Sequence, residues 1–91
     1  MEYKITHNEA ENRFETKIKG ATALVDYIQQ GQRIDITHTF VPSELEGQGI
    51  AGALTKAILD YASENGLKVN PICPYTEVYI KRHPEYQHLV G

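Results

Sequence analysis

The chain has 91 residues, enough for one domain but too few for a core that could enclose a long ligand, which would have to lie in a surface groove. Hydrophobic residues make up 41% and charged residues 23%, no apolar run reaches membrane-spanning length, and the start MEYKITHNEAENRF is no export signal, so a cytoplasmic protein without a membrane partner is expected. The net charge of −3 argues against a nucleic-acid partner, and the lone cysteine, Cys73, excludes an internal disulfide and any CxxC metal site.

Residues 2–7 (EYKITH) alternate, with Tyr3 and Ile5 on one side, and predict a half-buried strand. NEAEN at 8–12 is a polar turn. Alternation resumes at 13–19 (RFETKIK), and Gly20 separates it from a third strand at 21–29. Gly31 makes a hairpin turn before a fourth strand, RIDITHTFV at 33–41, so four antiparallel strands in meander order are expected. Pro42 stops the fourth strand, because proline donates nothing to a ladder.

After the loop SELEGQG the period becomes helical: Ile50, Leu54, Ala57, Ile58 and Tyr61 form one apolar stripe, and Asn65-Gly66 supplies the stop. A short strand is expected at 67–72 and a second helix from Thr76 to about Lys81, with Pro84 barring its continuation. The expected order is ββββαβα.

Three glycines between Gly47 and Gly52 precede or open the first helix in ELEGQGIAGALTKAIL. A helix start carries unpaired N–H groups and the positive end of the macrodipole, so glycines there let an anion reach the amides without meeting a Cβ. Two readings stand: an anion cradle, or a loop shaped by Gly47 and Gly49 with Gly52 admitting close packing on the sheet. The cluster lacks the βαβ setting of a dinucleotide fingerprint and the Gly-Lys-Ser/Thr of a P-loop.

His38 shares the alternation of Ile34, Ile36 and Phe40, which reads as either a satisfied core histidine or a general base working near its ordinary pKa. Cys73 reads as a small buried hydrophobe or a functional thiol, and Tyr79 as packing beneath the last helix. His38, Cys73, His83 and His88 match no ordinary zinc spacing, and no metal is expected.

HTFVP before the glycine cluster, EGQGIAGAL within it, and VNPICPYTEVYIKRHPEY after it together resemble the GNAT superfamily of N-acetyltransferases. The length, the His-Thr on the fourth strand and the Cys-Pro-Tyr after the fifth are similar to its minimal single-domain subgroup, over roughly residues 33–90. In the superfamily signature Arg/Gln-x-x-Gly-x-Gly/Ala, Gly49 and Ala51 take the last two places. Glu46 stands where Arg or Gln is usual, so backbone amides must carry most of the binding.

The resemblance implies an α+β fold with a mostly antiparallel sheet of about five strands and two helices. It implies acetyl-CoA as cosubstrate and acetyl transfer to a primary amine, on a small molecule or on an exposed lysine or N-terminus, by a monomer. A non-catalytic acyl-CoA-binding module is the rival. Gly47, Gln48, Gly49, Ile50 and Ala51 are then expected at the pyrophosphate, and Thr39, Phe40 and Val41 along the pantetheine arm between splayed fourth and fifth strands. Pro74, Tyr75, Tyr79 and His83 are expected as further cosubstrate contacts. Cys73, His38 and Tyr79 are the catalytic candidates: Cys73 as acetyl carrier or acceptor wall, His38 as base, Tyr79 as proton donor to the departing thiolate. The superfamily's helix pair between the first two strands is replaced by the turn at 8–12, and its sixth and seventh strands are missing, so an acceptor that is exposed, large, or supplied with a wall by a partner is implied.

Overall fold

The structure, a computed structural model, describes residues 3–91. Five strands form one sheet in sequential order: β1 (Thr6–Asn8), β2 (Arg13–Ile18), β3 (Ala21–Gln30), β4 (Arg33–Phe40) and β5 (Lys68–Pro71). The first four are an antiparallel meander, and β5 returns parallel to β4 after the helix α1 (Ile50–Glu64). A second helix, α2 (Pro74–Arg82), and a 3-10 segment at Pro84–Leu89 complete the chain. The expected order holds, and among the described residues no helix is long and apolar enough to cross a membrane.

Two-residue turns close the first two long hairpins. Lys19 and Gly20 join β2 to β3 with positive φ at both positions (51° and 81°), the turn whose twist suits paired strands. The period-2 pattern then decides the inner face: Phe14, Thr16, Ala23, Val25, Tyr27, Ile34, Ile36 and Val69 are buried. Helix α1 lies across β2 to β5 and brings Ile50, Leu54, Ile58 and Leu59 into this layer. Each such side chain contributes about 2 kcal/mol of burial. Thr55, Leu59 and Ala62 broaden the apolar stripe beyond the positions that the spacing alone picks out.

Three boundaries differ from the sequence expectation. The first strand is confined to Thr6–Asn8, because the Thr16 hydroxyl donates to the Lys4 carbonyl (2.9 Å) in place of a backbone ladder. Tyr3 and Ile5 still pack on the core, while Glu2 lies outside the described residues. Helix α2 starts at Pro74 rather than Thr76, since proline at the first helical position loses no needed N–H. The turn at 8–12 contains a 3-10 turn, Glu9–Glu11, capped by the Asn8 side chain.

The largest departure is in β4. Its register with β3 slips between Asp26 and Tyr27, so that His38 pairs with Asp26 but Ile36 pairs with Tyr27, leaving Thr37 as a bulge. An extra residue resets the alternation. Ile34 and Ile36 face α1, but His38 and Phe40 turn to the opposite, open face of the sheet and are exposed. The expectation that His38 shares a face with Ile34 and Ile36 is therefore corrected.

Candidate active site

The bulge also releases β4 from its neighbour. The β4–β5 ladder ends at Ile36 opposite Pro71, and the Cys73 N–H closes it by donating to the Ile36 carbonyl (2.9 Å). Beyond that point Thr37–Phe40 run on without a β5 partner while the chain turns into α2. The two parallel strands thus part at their C-terminal ends, where ligands of parallel sheets collect.

Above the gap sits the glycine loop. Gly49 is the N-cap of α1 in the left-handed conformation (φ 76°), with no capping side chain and no acidic residue in the first turn. The first-turn N–H groups are therefore free to receive an anion, reinforced by the helix dipole. A Cβ built on Gly49 meets nothing within 4 Å, because the position opens to a groove. That groove, of about 310 Å³, is lined by Val41, Leu45, Glu46, Gly47, Gly49, Ile50, Ala51, Gly52 and Tyr75. Leu45, Glu46 and Gly52 were not among the expected contacts. Gly52 faces α2 rather than the sheet: a Cβ there would stand 3.5 Å from the Tyr75 hydroxyl. Gln48 lines a neighbouring hollow, and its carbonyl accepts a hydrogen bond from the Tyr3 hydroxyl, tying the start of the chain to the loop.

Cys73 is the N-cap of α2 and is buried. Its thiol lies 3.5 Å from the Thr39 hydroxyl, across the gap between the parting strands. Burial pushes the thiol pKa up. The Thr39 hydroxyl, the first-turn amides of Thr76 and Tyr75 and the Thr76 hydroxyl together outweigh burial, and the net pKa lies below the ordinary thiol value. Thr76 Oγ1 is fully buried and, apart from the neighbouring thiol, meets no hydrogen-bond partner among the described residues. Thr76 was missed at the sequence level, although its place three residues after an N-cap is the usual position for a residue that closes the first turn.

His38 does not join this group. Thr39, which reaches Cys73, pairs with buried Val25, whereas His38 pairs with Asp26 on the other face. Phe40 follows His38 outward, pairing with Leu24 and about half exposed, and it does not line the groove. Val41, one residue on, does.

On α2 the two tyrosines divide. Tyr75 lines the groove and is exposed, while Tyr79 packs between Tyr75, His83 and Tyr86. Burial raises the pKa of both phenols, so both remain proton donors. His83 stacks on Tyr79 with ring centroids 4.0 Å apart and donates from Nδ1 to the Tyr79 carbonyl (2.8 Å), capping the helix end away from the groove lining. Pro74 starts α2 beside Cys73.

Comparison with known proteins bears on the family and the fold. The chain matches the family described as GCN5-related N-acetyl-transferase over residues 13–89, reaching further toward the N-terminus than the motifs. It is 36% identical to Protein NATD1 of Mus musculus over 91 residues, spanning 94% of this chain and 81% of that protein. The human Protein NATD1 is equally similar at 36%, spanning 94% and 79%. Among solved structures it is similar to a GCN5-like protein of Staphylococcus aureus, provisionally assigned as an N-acetyltransferase and determined by NMR. The TM-score is 0.76 at 30% identity, over 98% of this chain and 88% of that one. With five strands in this order, parted ends of β4 and β5 and an uncapped glycine loop above them, the chain belongs to the GCN5-related N-acetyltransferase family.

Proposed function

We propose that the protein binds acetyl-CoA in the groove at the start of α1 and transfers the acetyl group to a primary amine. The observation that carries this reading is the uncapped first turn of α1 opening onto a groove beside the β4–β5 gap, with Cys73 and Thr39 meeting across that gap. The amides of Gly49 to Gly52 suit the pyrophosphate, and Val41 and Tyr75 line the way toward Cys73. The same reading takes the protein as a cytoplasmic monomer whose acceptor is a small amine or an exposed lysine or N-terminus.

Two routes lead to the same product. In one, the neutral amine attacks the thioester carbonyl directly, the carbon–sulfur bond breaks, and the departing CoA thiolate takes a proton from a neighbouring phenol. In the other, the Cys73 thiolate attacks first, CoA leaves, and the amine then displaces the sulfur of the acetyl-cysteine and loses its proton to a base. The Thr39 hydroxyl 3.5 Å from the thiol and the α2 first-turn amides beside it suit a thiolate and favour the second route, in which Cys73 regenerates as a thiolate. Tyr75, at the groove, is better situated than Tyr79 to protonate the departing CoA.

Acetyl-CoA and CoA should each raise the melting temperature, as a ligand specific for the native state must. Free thiol should then appear with amine acceptors, and intact mass should show one acetyl adduct that is absent in Cys73→Ala. No thermal shift at saturating ligand overturns the reading. The separation of His38 from Cys73 favours one rival, a module that binds acyl-CoA without turnover. Binding with no thiol release across polyamines, aminoglycosides, amino acids and lysine peptides would select it.

A further inference from the structure

The glycine loop separates two hollows that share Leu45 as a common wall. One is the groove described above. The other, of about 290 Å³, lies between the β2–β3 hairpin and the start of the loop, lined by Ile18, Lys19, Ala21, Glu44, Leu45 and Gln48. A cosubstrate whose pyrophosphate sits at Gly49 has two ends to place. On the acetyl-CoA reading its acyl arm leaves along Val41 and Tyr75, which leaves the other side of the loop open to its 3′-phosphorylated adenosine.

The second hollow has the chemistry for that end. Ile18, Ala21 and Leu45 present an apolar floor to the face of a base, and the Glu44 carboxylate is an acceptor for an exocyclic amine. Lys19 is the one cation lining either hollow among the described residues. It takes part in none of the ion pairs there, which are Arg13–Glu15, Arg33–Asp35 and Lys56–Asp60. Its position is set by the hairpin turn, whose left-handed φ of 51° is unusual for lysine. The only charged side chains of the loop are negative, Glu44 and Glu46, although the ligand is a polyanion.

Resting on the acetyl-CoA reading, we propose that this hollow holds the nucleotide end of the cosubstrate and that Lys19 pairs with its 3′-phosphate. The site therefore distinguishes CoA from 3′-dephospho-CoA. The test is calorimetric titration of the full chain with both ligands, in the wild type and in Lys19→Asn, Lys19→Arg and Arg82→Ala. Asparagine tolerates the left-handed turn, so Lys19→Asn removes charge without threatening the fold. Arg82 is a control because it is a cation on the α2 side, close enough to influence Tyr75.

The wild type should bind CoA about fivefold or more tightly than 3′-dephospho-CoA, the scale of one partly exposed charge–phosphate contact. Lys19→Asn should remove that preference by weakening CoA alone, Lys19→Arg should keep it, and Arg82→Ala should leave it unchanged. Equal binding of both ligands by the wild type, equal weakening of both by Lys19→Asn, or loss of the preference in Arg82→Ala overturns the proposal while leaving the acetyl-CoA reading intact. Failure of both ligands to bind overturns that reading as well.

Discussion

At Cys73, burial and hydrogen bonding act on one thiol in opposite directions. Burial alone makes an inert cysteine with a raised pKa; the helix start and two threonine hydroxyls reverse the sign. Thr76→Val should therefore raise the thiol pKa, and Thr39→Val should do the same, read as thiolate absorbance against pH. An unchanged titration in both variants would leave Cys73 as packing only. Gly49 makes a second residue-scale case, because its positive φ and its open surroundings have separate consequences. Gly49→Ala should cost about 1 kcal/mol of stability through backbone strain and also abolish the thermal shift produced by CoA. Gly31→Ala carries the same kind of strain in a hairpin with equally open space. It should lose similar stability yet keep the shift, which separates strain from obstruction.

At the scale of the element, β4 decides what the site contains. Strict alternation through RIDITHTFV would put His38 on the face of Ile34 and Ile36, but the bulge at Thr37 turns it outward. His38→Ala should accordingly leave the Cys73 titration unchanged, measured by the same absorbance; a shift would show that the two residues communicate through the strand. The meander, α1 and the glycine loop were all legible, since they rest on local periods and on glycine and proline chemistry. The bulge was not, because a single inserted residue leaves no compositional mark in a run of β-formers. For the same reason Thr39 could be placed near the cosubstrate only by resemblance, and its contact with Cys73 joins residues 34 positions apart in sequence.

For the whole molecule, the C-terminal 3-10 segment is tied to α1 through one charged contact. The Tyr86 hydroxyl donates to Asp60 Oδ1 (2.8 Å), and Lys56 pairs with Oδ2 of the same carboxylate (2.8 Å). Burial raises the Asp60 pKa, but the hydrogen bonds from Lys56 and Tyr86 prevail and leave it below the usual carboxylate range. A depressed carboxylate stabilises the fold above its unfolded pKa, and that contribution is lost as pH falls through the folded value. Tyr86→Phe should thus cost about 1 kcal/mol near neutrality, with the difference from wild type shrinking as Asp60 protonates in acid. Urea unfolding at neutral and acid pH measures both parts, and a difference independent of pH would place the cost in packing alone.

By itself the sequence determined the strand and helix order, the glycine loop at the start of α1 and the family resemblance, because each depends on residues close together in the chain. The tertiary structure decided which side chains meet. It placed Thr39 and Thr76 at the Cys73 thiol, turned His38 and Phe40 to the far face, gave Tyr75 rather than Tyr79 to the groove, and set Lys19 beside the loop. These pairings follow from strand register, a bulge and the packing of two helices, which join distant segments and leave no local pattern to read.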